Sequence, residues 1–279
     1  MHHLQRFILV CLLVCLLPLT SYAWNSLGHK VIAQIAYDHL NPAAKSQVDR
    51  LIASFHQEYP KINSLIDAAS WPDEIRSQKI EMFTHWHYID NAITTDHSSL
   101  KNLMDSDNAV WAVSNMVSVV QNQKANTYER ARFLVFLTHI TGDLYQPLHT
   151  VSLITAEHPN GDKGGNDFYV KYQGSRTKLH HVWDGGVGLF GNDESKENIA
   201  YLAKAITTEY PDTSFAKIND LKPNDWADEG VIIAKEHVYN ITENTNVSNA
   251  YIVDGRKTTT KQTALAGYRL AALLNNLLT

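Results

Sequence analysis

The segment "HITGDLYQPLH", residues 139–149, concentrates groups that can bind a metal ion. His139 and Asp143 are four residues apart in a helical pattern, so both side chains lie on one face of a helix. Pro147 is expected to end this helix just before a third candidate, His149. Neutral imidazole nitrogens and carboxylate oxygens are ligands that zinc binds in proteins. The segment therefore predicts a metal site at one helix end.

A second segment, "LHHVWD", has the same arrangement. His180 and Asp184 are again four residues apart. A single pair of this kind is often only a contact between side chains on a helix surface, but two pairs in one chain favour metal binding. The segment "SWPDE" adds Asp73, and "HWHYID" adds His87 and Asp90 in an apolar setting.

Several other catalytic classes lack their motifs in this chain. Both cysteines, Cys11 and Cys15, lie in an N-terminal apolar segment, so the rest of the chain has no thiolate nucleophile and no disulfide. Neither G-x-S-x-G nor H-E-x-x-H occurs. The segment "GVGLFG" has the glycine spacing of a dinucleotide-binding loop, but it follows "LHHVWD" and not a strand, which favours a plain glycine-rich loop. With 24 basic and 29 acidic residues, the composition predicts no broad basic face.

Residues 1–23 have the features of a secretory signal peptide. Arg6 precedes an apolar run, residues 7–19, and small residues stand at the −3 and −1 positions of a cleavage point after Ala23. The apolar run is too short to span a membrane, so no membrane anchor is expected. We expect a secreted or periplasmic protein whose first residue is Trp24.

The remaining chain, residues 24–279, predicts one mainly α domain with a small β-hairpin. Apolar residues recur at helical spacing from Val31 to Leu40, and Asn41-Pro42 is typical of the cap and first residue of a next helix. Further helices are predicted at about residues 63–78, 107–123, 127–145, 195–209, 224–241 and 260–278.

Two segments depart from the helical pattern. Phe168, Val170 and Tyr172 alternate before a glycine, which predicts the hairpin. The polar stretch from Thr242 to Thr260 predicts a long loop.

In chain order, these residues resemble the S1/P1 nucleases, which are zinc-dependent single-strand nucleases and 3′-nucleotidases and share their helical architecture with zinc-dependent phospholipase C. The resemblance spans almost all of residues 24–279. It is carried by "WNSLGH", "SWPDE", "HYID", "HITGDLYQPLH", "KGGN" and "LHHVWD".

The resemblance implies a cofactor of three Zn²⁺ ions. The ligands of the first ion would be Asp73, His87, His139 and Asp143, those of the second His149, His180 and Asp184, and those of the third Trp24, His29 and the shared Asp143. Trp24 would bind through its α-amino nitrogen and its carbonyl oxygen, so signal-peptide cleavage would itself create a ligand.

The resemblance also implies a mechanism and its substrates. A hydroxide that bridges two zinc ions would attack phosphorus and leave 5′-phosphate products. Asp73 would orient the water, Arg76 would hold a phosphate oxygen, and Asn166 would make a further polar contact. Tyr88 would stack on a base, and Asp90 would accept hydrogen bonds from its Watson–Crick edge, which only an unpaired base offers. The expected partners are single-stranded RNA or DNA and 3′-nucleotides, and a monomer is expected.

Alternatives to these roles stay open in the sequence. Arg76 could be an exposed helix charge, Tyr88 a core residue and Asp90 a helix cap. His85 and His181, beside matched ligands, are expected to be structural. A zinc-dependent phospholipase C and a non-catalytic zinc-binding protein are the alternative functions, and the preference among RNA, DNA and 3′-nucleotides is open.

Overall fold

The computed structural model describes residues 24–279, so the expected signal peptide lies outside the described residues. This part of the chain is mainly helical, as predicted. Its α-helices are α1 (Ser26–Asp38), α2 (Pro42–His56), α3 (Leu65–Ala68), α4 (Trp71–Ser77), α5 (Ala109–Gln121), α6 (Thr127–Asp143), α7 (Leu179–Asp184), α8 (Lys196–Glu209), α9 (Pro223–Ile233) and α10 (Asn249–Leu277). Its strands are β1 (Asn91–Ile93), β2 (Val151–Leu153), β3 (Tyr169–Tyr172) and β4 (Ser175–Lys178). Within residues 24–279 no helix is long and apolar enough to cross a bilayer.

Several predicted helix boundaries are confirmed to within two residues. The helices α5, α6 and α8 occupy the segments predicted at 107–123, 127–145 and 195–209. The side chain of Asn41 accepts a hydrogen bond from the Ala44 N–H, and Pro42 is the first residue of α2. Asparagine is a strong N-cap and proline suits the first helical position, so local sequence alone determines this boundary.

Two predicted boundaries are wrong. The predicted helix 63–78 is two helices, α3 and α4, because Pro72 lacks an N–H and lies in the first turn of a new helix. The predicted loop from Thr242 to Thr260 becomes helical at Asn249, where the hydroxyl of Ser248 accepts a hydrogen bond from the Tyr251 N–H. Polar residues of α10 such as Thr259 and Thr263 are fully buried. Tertiary packing therefore overrides their weak helix propensity.

Helix α6 lies at the centre of the fold. It packs against α5 and α2, and α10 packs against both α6 and α1. Every residue from Leu134 to Asp143 is buried, so the helix is enclosed on all sides in its second half. Any polar side chain in this half must find its partners inside the protein.

Two short β-pairs complete the fold. The predicted hairpin is confirmed: β3 and β4 pair antiparallel, and both turn residues, Gln173 and Gly174, have positive φ, as a two-residue hairpin turn requires. The sequence did not indicate the parallel pairing of β1 with β2, in which Asn91 lies opposite Val151.

Candidate active site

Two ionisable side chains of α6 lie in the enclosed half of that helix. His139 and Asp143 have no exposed surface, and they are one turn apart on the same face. Burying a carboxylate is costly unless it is paired with positive charge or with hydrogen-bond donors. Their surroundings therefore decide what the site can bind.

A first cluster forms around the Asp143 carboxylate. Its Oδ2 lies 3.0 Å from Nδ1 of His87, and that Nδ1 lies 3.2 Å from Nε2 of His139. An Asp73 carboxylate oxygen lies 3.7 Å from the same Nε2 atom. All four predicted ligands of the first ion, which come from α4, the 3₁₀ turn Glu81–His87 and α6, are thus brought together.

A second cluster contains the three predicted ligands of the second ion. The Nε2 atoms of His149 and His180 are 3.1 Å apart, and Nε2 of His180 lies 3.3 Å from Oδ1 of Asp184. His180 and Asp184 both lie on α7, one turn apart, and His149 ends the 3₁₀ turn Pro147–His149. All three side chains are buried.

His29 and Trp24 lie beside the first cluster. Nε2 of His29 is 3.3 Å from Oδ1 of Asp143, the carboxylate oxygen that does not face His87. The indole N–H of Trp24 donates to the Gly142 carbonyl at 3.0 Å, and the backbone N–H of Asn25 donates to the Asp184 carbonyl at 2.8 Å. The Trp24 backbone therefore lies between the ligand-bearing ends of α6 and α7.

Three histidines are held in the tautomer that binds metals. Nδ1 of His139, His149 and His180 lies 2.7, 2.6 and 2.5 Å from the backbone carbonyl oxygens of Ala69, His87 and Gly164, respectively. A ring nitrogen that donates to a carbonyl leaves the other nitrogen with a free lone pair, which is the usual arrangement at a metal-bound histidine.

Three buried polar atoms that face the first cluster have no hydrogen-bond partner: Nε2 of His29, Oδ1 of Asp73 and Oδ1 of Asp143. Unsatisfied buried polar atoms are rare in folded proteins. Here they are all atoms that can donate electron pairs. Together with the histidine tautomers, they fit divalent metal ions in both clusters.

Burial keeps the histidines neutral. It lowers the pKa of His29, His87, His139 and His149 to about 3 and that of His180 well below its usual value. Burial also raises the pKa of the Asp73 and Asp184 carboxyls well above their usual value. The histidines need no deprotonation to bind a cation at neutral pH, whereas a cation would restore the charged form of the two carboxylates.

Two hydrogen bonds that were not predicted from the sequence align the two clusters. The Ile89 N–H donates to the His149 carbonyl at 2.8 Å, directly before the parallel pairing of β1 with β2. The amide of Gln146, fully buried, donates to Oδ1 of Asp184 at 2.8 Å. The role of Gln146 could have been predicted from the sequence, because this residue stands between the predicted ligands Asp143 and His149.

The proposed phosphate-contacting residues lie at different depths. Arg76 reaches toward the first cluster, where its Nη2 atom is 3.5 Å from Oδ1 of Asp73, and its side chain is only 15% exposed. It is therefore not an exposed helix charge. The side-chain amide of Asn166 donates to the Lys163 carbonyl and its oxygen accepts from the Lys178 ammonium at 3.4 Å. Asn166 thus stabilises the loop that holds His180.

Tyr88 and Asp90 follow His87 and are both half-buried. Burial, the Asp90 carboxyl and Asp105 raise the pKa of Tyr88 to about 12, and burial with repulsion from Asp105 and Asp162 raises the pKa of Asp90 to about 7. Asp90 is not the cap of α5, since Asn108 caps that helix. Neither residue belongs to the enclosed apolar core.

Comparisons with known proteins give one consistent result. The S1/P1 Nuclease family model matches residues 24–279. Endonuclease 4 of Arabidopsis thaliana is 27% identical over 92% of this chain and 90% of its own length. Nuclease S1 of Aspergillus oryzae is 29% identical over 59% of this chain and 54% of its own, and Nuclease P1 of Penicillium citrinum is 28% identical over 58% and 57%.

Proposed function

The chain belongs to the S1/P1 nuclease family and is a hydrolytic nuclease, and we propose that it is a secreted or periplasmic zinc enzyme acting as a single domain, residues 24–279. Its substrates are single-stranded RNA and DNA, cleaved to 5′-phosphate products, and 3′-nucleotides. The observation that carries the proposal is that two buried His/Asp clusters converge at the ends of α6 and α7. In the first cluster, three buried atoms with lone pairs have no hydrogen-bond partner.

The proposed cofactor is three Zn²⁺ ions. The first would be held by the four groups around Asp143 and the second by the three groups around His180. The third would be held by His29, the other oxygen of Asp143 and the terminal amine and carbonyl of Trp24. When bound, zinc would lower the pKa of a water ligand to about 7 and would offset negative charge on the phosphate oxygens.

Three residues of the chain contact the phosphate or the attacking water. The Arg76 guanidinium carries a fixed positive charge at the rim of the first cluster and can bind a non-bridging phosphate oxygen through two N–H groups. Oδ1 of Asp73 makes no hydrogen bond within the protein, so it can accept one from the attacking water and orient it. Asn166 contributes a polar contact from the loop beside His180.

Tyr88 and Asp90 select unpaired bases. The half-buried Tyr88 ring offers a stacking surface, and the Asp90 carboxylate offers two acceptor oxygens beside it. Watson–Crick N–H groups reach those oxygens only when the base is unpaired. This pocket lies directly after His87 in the chain, so a bound base places its own phosphate near the first cluster.

Hydrolysis assays with three substrates test the proposed function. The purified protein is incubated with zinc and a single-stranded oligonucleotide, the matching duplex, or phosphatidylcholine. We expect rapid cleavage of the single strand only, with 5′-phosphate termini on the products. Cleavage of phosphatidylcholine alone would favour a phospholipase C, and no turnover with zinc bound would favour a binding protein.

The Arg76→Gln variant tests the assigned phosphate contact. We expect it to lower kcat by about 100-fold, as removal of a donor to developing charge does, while zinc content stays unchanged. Arg50→Gln, on the exposed face of α2, is the matched control and should leave kcat unchanged. Equal kcat values in the two variants would remove Arg76 from the mechanism.

A further inference from the structure

One face of the hairpin β3–β4 is basic. In the antiparallel register Tyr169 lies opposite Lys178, and Lys171 lies opposite Arg176. Side chains two residues apart on a strand share a face, so these four side chains lie together. Val170 points the other way and is fully buried in the core. The hairpin thus carries three cations and one aromatic ring on its outer face.

The cations of this basic hairpin face have no acidic partners. In the described part of the chain, no salt bridge includes Lys171, Arg176 or Lys178, although Lys163 nearby pairs with Asp167 at 2.9 Å. Lys171 and Arg176 are exposed. Three unneutralised cations close together repel one another, so the face is complementary to a polyanion.

Its aromatic residue fixes the orientation of one cation. The Arg176 guanidinium lies over the Tyr169 ring, 3.5 Å from the ring centroid. A guanidinium that is stacked in this way keeps its N–H edge available for a phosphate while its face is covered.

The basic hairpin face leads directly to the second metal cluster. Lys178 ends β4, and His180 follows two residues later on α7. The Lys178 ammonium donates to Asn166, in the loop whose Gly164 carbonyl accepts the hydrogen bond from Nδ1 of His180. Arg176 continues the row of cations outward from this point along β4.

We infer that the outer face of the β3–β4 hairpin binds backbone phosphates of a single-stranded polynucleotide outside the nucleotide that is cleaved. The inference rests on the proposed function, which makes such a strand the substrate. The chain has a net charge of −5, so these cations are a local exception. Contacts at this face are available only to a strand that extends past the metal clusters, so the inference predicts a preference for long substrates over short ones.

The test compares two double variants of equal charge. Lys171→Ala/Arg176→Ala removes two cations of the face, and Lys196→Ala/Lys204→Ala removes two exposed cations of α8, which packs against α1 and α10. Fluorescence anisotropy measures Kd of the zinc-loaded protein for a labelled single-stranded 20-mer with hydrolysis-resistant phosphorodithioate linkages at several salt concentrations. We expect the hairpin variant to raise Kd about 10-fold at 0.1 M salt. We also expect the slope of log Kd against log salt concentration to fall by about 0.7 for each phosphate that is no longer neutralised.

Cleavage assays distinguish this inference from the proposed function. The hairpin variant should raise KM for the 20-mer and leave hydrolysis of a dinucleotide unchanged, whereas Lys171→Arg/Arg176→Lys, which keeps both charges, should behave like the unaltered protein. Equal Kd values for the two alanine variants would overturn the inference even if both cleave normally. Absence of cleavage by the unaltered protein would overturn the proposed function, and the anisotropy result would still decide the role of the face.

Discussion

The imidazole rings of His149 and His180 face each other with their Nε2 atoms 3.1 Å apart, and Nδ1 of each ring is hydrogen-bonded to a backbone carbonyl. Both Nε2 atoms therefore carry lone pairs. Two lone pairs at this distance repel unless a cation lies between them. Burial keeps both rings neutral, since it lowers the pKa of each, so the repulsion is not relieved by protonation at neutral pH. A metal ion bound to both Nε2 atoms would remove this repulsion.

Metal removal should therefore destabilise the protein. We expect exhaustive chelation to lower Tm by about 10 °C, since loss of a ligand bound about 1,000-fold above its Kd removes about 4 kcal/mol. Added zinc should restore both Tm and hydrolysis. Differential scanning fluorimetry with elemental analysis provides the measurement. An unchanged Tm and persistent hydrolysis after verified metal loss would exclude a metal mechanism.

Asp143 should matter more than any single histidine. One of its oxygens lies 3.0 Å from Nδ1 of His87 and the other 3.3 Å from Nε2 of His29. Asp143→Asn removes the charge between two cations, so we expect loss of more than one zinc ion per chain. His149→Ala should lose about one. Both should slow hydrolysis by about 100-fold or more.

Zinc content of the purified variants and their initial rates decide this prediction. Asp167→Asn, a carboxylate outside both clusters, is the control and should retain all zinc. Equal zinc loss from Asp143→Asn and His149→Ala would contradict a shared ligand at position 143.

Much of the site could be predicted from the sequence because its ligands come in local pairs. A spacing of four residues places His139 above Asp143 and His180 above Asp184 whatever the tertiary structure, provided that each segment is helical. The hairpin could also be predicted from local sequence, because apolar residues alternate along its first strand and a glycine follows them. The helical class follows from apolar periodicity over most of the chain.

What could not be predicted depends on contacts between distant segments. The pairing of β1 with β2 aligns His87 with His149, and three-residue strands carry too little pattern to reveal it. The first half of α10 is polar and becomes helical through packing. The basic hairpin face could not be predicted either, because the composition averages its cations with acidic residues elsewhere. Only the strand register brings Lys171 and Arg176 side by side.

The terminal-ligand proposal predicts a specific effect of chain extension. One additional residue before Trp24 should convert its amine into an amide, which cannot bind zinc in the same way. The Trp24 indole would keep its hydrogen bond to the Gly142 carbonyl, so the fold should be retained. We expect two zinc ions per chain and loss of most activity. Proteolytic removal of the extra residue should restore both, and three zinc ions with full turnover in the extended chain would refute the proposal.

Gly142 should be required for the position of His29. A Cβ at residue 142 would lie 2.9 Å from Nδ1 of His29, which is closer than such contacts occur. Alanine is favoured over glycine within a helix by about 0.5–1 kcal/mol, so Gly142→Ala should cost activity and zinc more than stability. Gly185→Ala is the control, because its Cβ would meet nothing closer than 3.8 Å. Normal zinc content in both variants would show that His29 can shift without loss.

The base-pocket proposal predicts a pH dependence that only base-containing substrates show. Burial, with repulsion from Asp105 and Asp162, raises the pKa of Asp90 to about 7, against the smaller opposite effect of His85. Asp90 is therefore mainly protonated below pH 7 and mainly ionised above it. The ionised form accepts two hydrogen bonds from base N–H groups, so KM for a dinucleotide, whose phosphodiester does not titrate in this range, should fall as pH rises from 6 to 8. KM for bis(4-nitrophenyl) phosphate, which has no base, should not follow this course.

Two variants complete the test of the pocket. Asp90→Asn cannot ionise, so the ratio of KM values for the two substrates should become independent of pH while zinc content stays intact. Tyr88→Ala should raise KM for the dinucleotide at every pH, because a stacked base contributes about 1–3 kcal/mol, and should leave the pH dependence in place. Steady-state kinetics on both substrates from pH 6 to 8 provide the measurement. If both variants lose the baseless substrate as severely as the dinucleotide, Tyr88 and Asp90 stabilise the metal clusters and do not select unpaired bases.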